Sequence, residues 1–481
     1  MRVRSLPAGS LLTSSVLAAA LLIGVAITPP ALAAAPPEAA PVPPAAAQAA
    51  PELPVERYVL DNGLEVLLSR DTKVPLVAVN LWYHVGAKNE VPGRSGFAHL
   101  FEHIMFQGSR NVAEDTFFQY LEAAGAPLVN GTTDFDRTNY FETVPTNQLE
   151  LALWLESDRM GFLLDTLTQE RLDNQKAVVR KERQQSTENV PYGVAEERFF
   201  QLLFPAPHPY NGVVIGSHQD LEAATLADVK GFFKTFYTPN NATIAIVGDY
   251  DPATIKPLVQ KYFGSLPTSA EPPPLSAKAE PIKAERRTAL TDEVELPKVY
   301  FGWVTPNAFE PGDADLAIAS SILAEGKSSR LYTELVATQQ IAQSVNAYQY
   351  PLTLGSVFAV EILGKPGQSP EALEKAAWTV IEGLRAAPPS DAEIARALRT
   401  WQADTLRGLE SLGGFGGKAD VLNYYNHHLG DPAWLPKDFA RMQAVTPATV
   451  QKVFAEQIKS DNRVVVHVTP VPVAAAAGGA Q

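Results

Sequence analysis

The chain carries one strand–helix pattern twice, on either side of a proline-rich break, and this restricts it to folds made of two like halves. Tyr58-Val-Leu-Asp-Asn-Gly-Leu-Glu-Val-Leu-Leu-Ser69 sets two β-rich runs around Asn62-Gly63 and predicts a hairpin. Residues 77–85 alternate as a strand. A helix follows the turn residues Pro92-Gly93. Beyond it the pattern predicts a helix at 117–125, one or two strands within 130–144, long helices at 148–163 and 169–188, and a strand at 242–247. Residues 267–290, with Pro272-Pro273-Pro274, predict a linker. The pattern restarts with a strand at 298–304 and a helix at 313–324, and a strand at 463–467 closes it. Aligning Gly108 with Gly326 brings the two early helices into register.

The first of those helices contains His99-Leu-Phe-Glu102-His103. Histidines four apart share one helix face, about one turn from each other. Their imidazoles can take two corners of a tetrahedral zinc site. Glu102 can point at the metal without ligating it, where a general base must sit to take a proton from an attacking water. The surrounding run, Gly96-Phe-Ala-His-Leu-Phe-Glu-His-Ile-Met-Phe106, is apolar nearly all round and predicts a buried helix. Two histidines and a glutamate buried there need a strong polar partner, which a metal supplies. H-x-x-E-H is the inverse of the H-E-x-x-H metallopeptidase motif. In the aligned second half these three residues fall opposite Ala317, Ser320 and Ser321, so that half has the skeleton without the metal site.

The net charge of −14 argues against a nucleic-acid partner. The N-terminus reads as a signal peptide over 1–33. Arg2 and Arg4 precede an apolar stretch from Leu11 to Ile27, and Ala31-Leu32-Ala33 offers a cleavage site after Ala33. No other stretch is long enough to span a bilayer. Residues 34–54 are Ala/Pro-rich and predict a disordered tether, and 470–481 a disordered tail. The chain has no cysteine, so neither a disulfide nor a lipid-bearing thiol is available. The expected location is periplasmic or secreted.

A catalytic zinc takes a third protein ligand and keeps an open position. His84, His208, His427 and His428 lie in contexts better suited to structural or solvated roles. A carboxylate from the helix at 169–188 is the alternative, and Glu170, Glu182 and Glu188 all compete on spacing alone.

With its inverted motif, the phrase Asn174-Gln-Lys-Ala-Val-Val-Arg-Lys-Glu-Arg183 and the following Asn189-Val-Pro-Tyr-Gly193, the chain resembles the pitrilysin/insulinase family of zinc peptidases. It is most similar to bacterial members and the mitochondrial processing peptidase β subunit. Asn130-Gly-Thr-Thr133, Thr138-Asn-Tyr-Phe141, His208-Pro-Tyr210, Ile215-Gly216, Tyr237-Thr-Pro-Asn-Asn-Ala242 and Val247-Gly-Asp249 extend the resemblance over about residues 55–470. The resemblance implies one zinc ion per chain held by His99, His103 and Glu182, with Glu102 catalytic. It implies substrate binding along an edge strand at Asn130, Gly131 and Thr132, with Gln175 and Glu142 as supporting residues. Gln175 stands where many members carry a Glu two helical turns ahead of the ligand.

Together the repeat and the resemblance predict an α+β fold of two homologous domains, a zinc-binding one at 55–266 and a non-metal one at 291–469. Each is expected to be a mainly antiparallel sheet covered by helices on one side, the whole forming half of a peptidase chamber. Active complexes of the family also use an Arg and, seven residues on, a Tyr over the metal. The corresponding positions here hold Val336 and Gln343. The expected function is therefore a zinc endopeptidase for unfolded peptides or small proteins, the zinc-bearing subunit of a heterodimer whose homologous partner carries the Arg/Tyr pair. The alternative is a non-catalytic structural or assembly subunit of the same fold.

Overall fold

A computed structural model of the chain describes residues 50–275, 277 and 279–471. The signal peptide expected at 1–33, most of the tether at 34–54 and nearly all of the tail at 470–481 lie outside the described residues. Among the described residues no helix is long and apolar enough to cross a membrane.

The first half contains β1 (Glu56–Val59), β2 (Glu65–Arg70), β3 (Leu76–Tyr83), α1 (Phe97–Ile104), α2 (Phe117–Ala123), β4 (Leu128–Thr133), β5 (Thr138–Pro145), α3 (Leu149–Phe162), α4 (Gln169–Arg183), α5 (Gly193–Leu203), α6 (His218–Ala223), α7 (Leu226–Phe236), β6 (Ala242–Gly248) and α8 (Ile255–Phe263). The second contains β7 (Arg286–Asp292), β8 (Lys298–Thr305), α9 (Asp313–Ala324), β9 (Ala342–Tyr350), β10 (Ser356–Gly364), α10 (Pro370–Ala386), α11 (Asp391–Gly408), α12 (Lys418–Leu429), α13 (Leu435–Gln443), α14 (Pro447–Gln457) and β11 (Val464–Pro470).

The two sheets repeat one topology. The first runs β1-β2-β6-β3-β5-β4 and the second β7-β11-β8-β10-β9, so the second lacks only a counterpart of β1. The pairs β2–β6 and β7–β11 are parallel, and the others are antiparallel. The fold class is α+β, as expected. β7 begins at Arg286, inside the span expected to be linker. Its local sequence, Arg-Arg-Thr, is polar, and it becomes a strand through its pairing with the distant β11. The helix expected over 169–188 ends at Arg183 and continues as a π-helical turn at Gln184–Glu188.

Each sheet is covered on one face by its own half. Val77, Val79, Leu81 and Tyr83 of β3 pack with α1, α3 and α7 in the first core. Phe301, Trp303 and Phe358 pack with α9, α10 and α14 in the second. The opposite faces are covered by exchange. Leu67, Ala78, Ala245 and Val247 of the first sheet pack against Ala419 and Leu422 of α12. Tyr300, Val357, Val464 and Val466 of the second sheet pack against Phe199, Phe200 and Leu203 of α5. Burial on both faces is why β6 reads Ala-Thr-Ile-Ala-Ile-Val-Gly, an almost unbroken apolar run rather than an alternation.

Candidate metal centre

α1 is set by its entry. Gly96 precedes it with φ 85°, a left-handed conformation that glycine adopts without strain. A Cβ there would lie 2.9 Å from Gly216 Cα, so the loop before α6 crosses directly over the helix start. Glycine has no capping side chain, and Glu90 does this work instead. Its carboxylate accepts the Gly96 and Ala98 backbone N–H groups, each at 2.9 Å. α4 packs beside α1. The end of α4 is held by Arg183, which donates to Glu197 at 2.6 Å, Gly216 O at 2.8 Å and Glu188 at 3.1 Å.

The two helices bring three side chains together. His103 Nε2 lies 3.0 Å and His99 Nε2 3.7 Å from the Glu182 carboxylate. The imidazoles meet edge to face, with centroids 4.8 Å apart. Among the described residues, His99, His103 and Glu182 form the one group of three metal-capable side chains with all ligand atoms within 4.8 Å. The competing carboxylates are elsewhere. Glu170 is exposed in the first turn of α4, and Glu188 is taken by His218 at 2.9 Å and Arg183 at 3.1 Å. Three of the other candidate histidines have their own hydrogen-bond partners, and His428 packs against Phe309 and Tyr424. His84 and His427 meet through their Nδ1 atoms at 2.7 Å, and His208 accepts the Tyr210 N–H at 3.1 Å.

Burial pushes the His99 imidazole down to about 4, helped by the neighbouring His103. The hydrogen bond from His103 holds the Glu182 carboxyl below the usual range. A neutral imidazole and an ionised carboxylate are the forms that ligate a metal. Tetrahedral zinc with bonds of about 2.0–2.1 Å sets its ligand atoms about 3.3 Å apart. The 3.0 Å contact runs from His103 to Oε2 and the 3.7 Å contact from His99 to Oε1, separations of that order, and two imidazoles with one carboxylate, all within 4.8 Å, are a donor set that zinc takes.

Glu102 is half-buried, and the loss of water around its carboxyl raises its pKa, with Glu182 adding to the rise. Thr133 Oγ1 donates to Glu102 Oε2 at 2.7 Å, a contact the sequence reading missed. Between them runs Gly131, where a Cβ would stand 3.2 Å from Glu102 Cγ and 3.0 Å from Phe106 Cε2. Asn130, Gly131 and Thr132 lie on β4, the edge strand of the first sheet, with Asn130 exposed and Gly131 buried. Thr132 O accepts from Arg137 at 3.1 Å. Gln175 is buried in α4, two turns before Glu182. Glu142 has different company: it is buried against Glu156 and Arg159, and burial raises its pKa well above the carboxylate range. In the second half, Val336 packs against the core and Gln343 is exposed on the edge strand β9.

Comparison with known proteins identifies the family of the chain. Residues 65–202 match the model of the insulinase family, peptidase family M16, and residues 223–400 match that of the peptidase M16 inactive domain. The zinc protease PqqE of Helicobacter pylori is 32% identical over 360 residues, covering 74% of this chain and 80% of that protein. The mitochondrial-processing peptidase subunit beta of Blastocladiella emersonii is 24% identical, covering 75% of this chain and 77% of that one. A crystal structure of a protease from Helicobacter pylori superposes with a TM-score of 0.81 at 29% identity, covering 87% of this chain and 100% of that one. A peptidase M16 inactive domain from Pseudomonas fluorescens, 19% identical, shares the fold with a TM-score of 0.77 over 87% of this chain and 98% of that one. The fold, the paired family matches and the similarity to PqqE together establish that the chain belongs to the insulinase family of peptidases, family M16.

Proposed function

We propose that this chain is a zinc endopeptidase that hydrolyses unfolded peptides. The observation that carries the reading is the convergence of His99, His103 and Glu182 beside a half-buried Glu102 whose Oε2 accepts from Thr133. His99 and His103 would hold zinc through Nε2 and Glu182 through its carboxylate. The chemistry zinc supplies when bound is polarisation of the scissile carbonyl and a lowered pKa for the attacking water. Glu102 accepts the proton of that water and delivers it to the leaving amine nitrogen. Its raised pKa makes the carboxylate a better proton acceptor than an exposed glutamate. Thr133 occupies Oε2 and leaves Oε1 for the transfer. β4, as a free sheet edge, offers backbone groups to an extended substrate, with Asn130, Gly131 and Thr132 along it. Gln175 would support the helix face that presents Glu182. The Glu156/Arg159 surroundings of Glu142 favour a structural role for that residue.

In this reading 55–266 is the zinc-bearing domain, 291–469 its homologue, and the chain one half of a closed chamber. Val336 and Gln343, in place of Arg and Tyr, favour a homologous partner that supplies that pair. A periplasmic or secreted location accords with the N-terminal sequence.

The test is cleavage of a fluorescence-quenched peptide library by the zinc-loaded chain, with Glu102→Gln as control and bound zinc quantified in both. Glu102→Gln is expected to retain zinc and lose cleavage by a factor of about 100 or more. Wild-type turnover by that variant would sink the mechanism. Absence of cleavage by the zinc-loaded parent, alone and with a homologous Arg/Tyr-bearing partner, would favour the non-catalytic reading.

A further inference from the structure

The second half keeps a cleft where the first has its metal centre. A cavity of about 450 Å³ lies among α9, α11, α12 and α13, and another of about 360 Å³ adjoins it through Ala317, Trp401 and Asp404. By the shared topology α9 and α11 are the counterparts of α1 and α4. The face of α9 turned to the smaller cavity carries Ala317, Ser320 and Ser321, the residues aligned with His99, Glu102 and His103. Asp404 lies as far past the α11 cap, Ser390, as Glu182 lies past the α4 cap, Thr168. The second half thus has no histidine at these positions and a carboxylate at the matching offset.

The lining of this cleft has its own chemistry. Phe309, Trp401, Tyr424 and Tyr425 supply aromatic surface, and Asp313, Asp404, Asp420 and Asp438 supply carboxylates. One cation, Arg441, lines the cavity, and it is occupied by Asp313 at 2.7 Å and Asp438 at 2.8 Å. Asp420 accepts the Gly416 N–H at 2.9 Å and the Asn80 side-chain amide at 3.4 Å, makes no ion pair among the described residues, and has its pKa raised by burial. Asp404 meets only Arg407, in an exposed pair of the kind that water and salt screen strongly. Tyr424 lines the cavity, and its hydroxyl has no hydrogen-bond partner among the described residues. Aromatic faces beside carboxylates that outnumber the lining cation attract ammonium and guanidinium groups. A cavity of this volume also has room for a side chain with its flanking backbone.

We propose that this cleft is a binding site for a basic side chain, arginine or lysine, of a peptide, with Asp404 and Asp420 receiving the charge and Trp401 and Tyr424 flanking it. The site is separate from the metal centre and does not depend on the peptidase reading. The chain's net charge of −14 favours the encounter with basic peptides.

The experiment uses the full chain carrying Glu102→Gln, so that no peptide is consumed. Fluorescence anisotropy follows a labelled Gly-Gly-Arg-Gly-Gly peptide, its lysine analogue, and its citrulline analogue, which has the shape of arginine without the charge. The arginine and lysine peptides are expected to bind at least tenfold more tightly than the citrulline peptide. Adding Asp404→Lys, at an exposed position, or Tyr424→Leu is expected to remove that preference. Equal binding of arginine and citrulline peptides, or no measurable binding of any, overturns the proposal. A preference that survives Asp404→Lys in a chain with unchanged circular dichroism places basic-peptide binding elsewhere and also overturns it. Should Tyr424→Leu fail to fold, Asp404→Lys decides alone.

Discussion

A methyl group at position 131 would press on Glu102 Cγ from 3.2 Å and on Phe106 Cε2 from 3.0 Å. Both contacts, and a third at 3.1 Å to Tyr140 Cδ1, are tighter than ordinary packing, so Gly131→Ala forces Phe106, Tyr140 and Glu102 to readjust around the new methyl. The histidines and Glu182 are not touched by that methyl. On the proposed mechanism Gly131→Ala therefore lowers kcat by about tenfold to a hundredfold while bound zinc stays near the parent level. Zinc analysis beside steady-state kinetics checks it, and lost zinc with intact kcat per zinc would assign Gly131 to ligand support. Local sequence made part of this site visible. Two histidines at i and i+4 must share a helix face whatever surrounds them. The role of Gly131 could not be read that way, because it comes from a strand passing under a helix more than twenty-five residues earlier.

At the scale of elements, helix ends carry much of the organisation. α11 starts with a capping box in which Ser390 and Glu393 satisfy each other's backbone N–H groups. Arg330 joins it from the segment after α9, donating to both Glu393 oxygens at 2.7 and 3.0 Å. The Arg330 hydrogen bonds, aided by those from Ser390, hold the Glu393 carboxyl down to about 2. Because the folded pKa lies below the unfolded value of about 4.3, this contact contributes stability above that pH and loses it as pH falls toward 2. Arg330→Gln is expected to cost on the order of 1 kcal/mol at pH 6. The gap to the parent should narrow in urea melts at pH 3, and a gap that widens on acidification contradicts this account. Capping boxes are legible in sequence; the bridging arginine, brought in from outside the helix, is not. The same holds for β7, whose polar run reads as linker until β11 lies alongside it.

The whole molecule is organised by exchange. α5 leaves the first half to cover the second sheet, and α12 returns to cover the first. Phe199 is fully buried in that arrangement, 5.6 Å from the Tyr300 ring across the two halves. Phe199→Ala is expected to cost about 3–5 kcal/mol, read from urea midpoints at constant m. Its loss should lower the unfolding midpoints of both halves together, because each sheet depends on a helix of the other. A change below about 1 kcal/mol would remove α5 from the load-sharing core.

The two-fold pattern, the hairpin at Asn62-Gly63 and the pairing of His99 with His103 were determined by the sequence alone. The hairpin and the histidine pair depend on neighbours a few residues apart, where backbone geometry sets the outcome, and the two-fold pattern is the same local periodicity written twice. The choice of Glu182 over Glu170 and Glu188 needs α4 laid against α1, since all three sit on one continuous helical segment with similar local surroundings. The partners of α5 and α12 were decided by tertiary structure too. An apolar helix face states that something must cover it; which sheet does so is settled by the shape and burial of the whole, across chain separations that local periodicity does not sense.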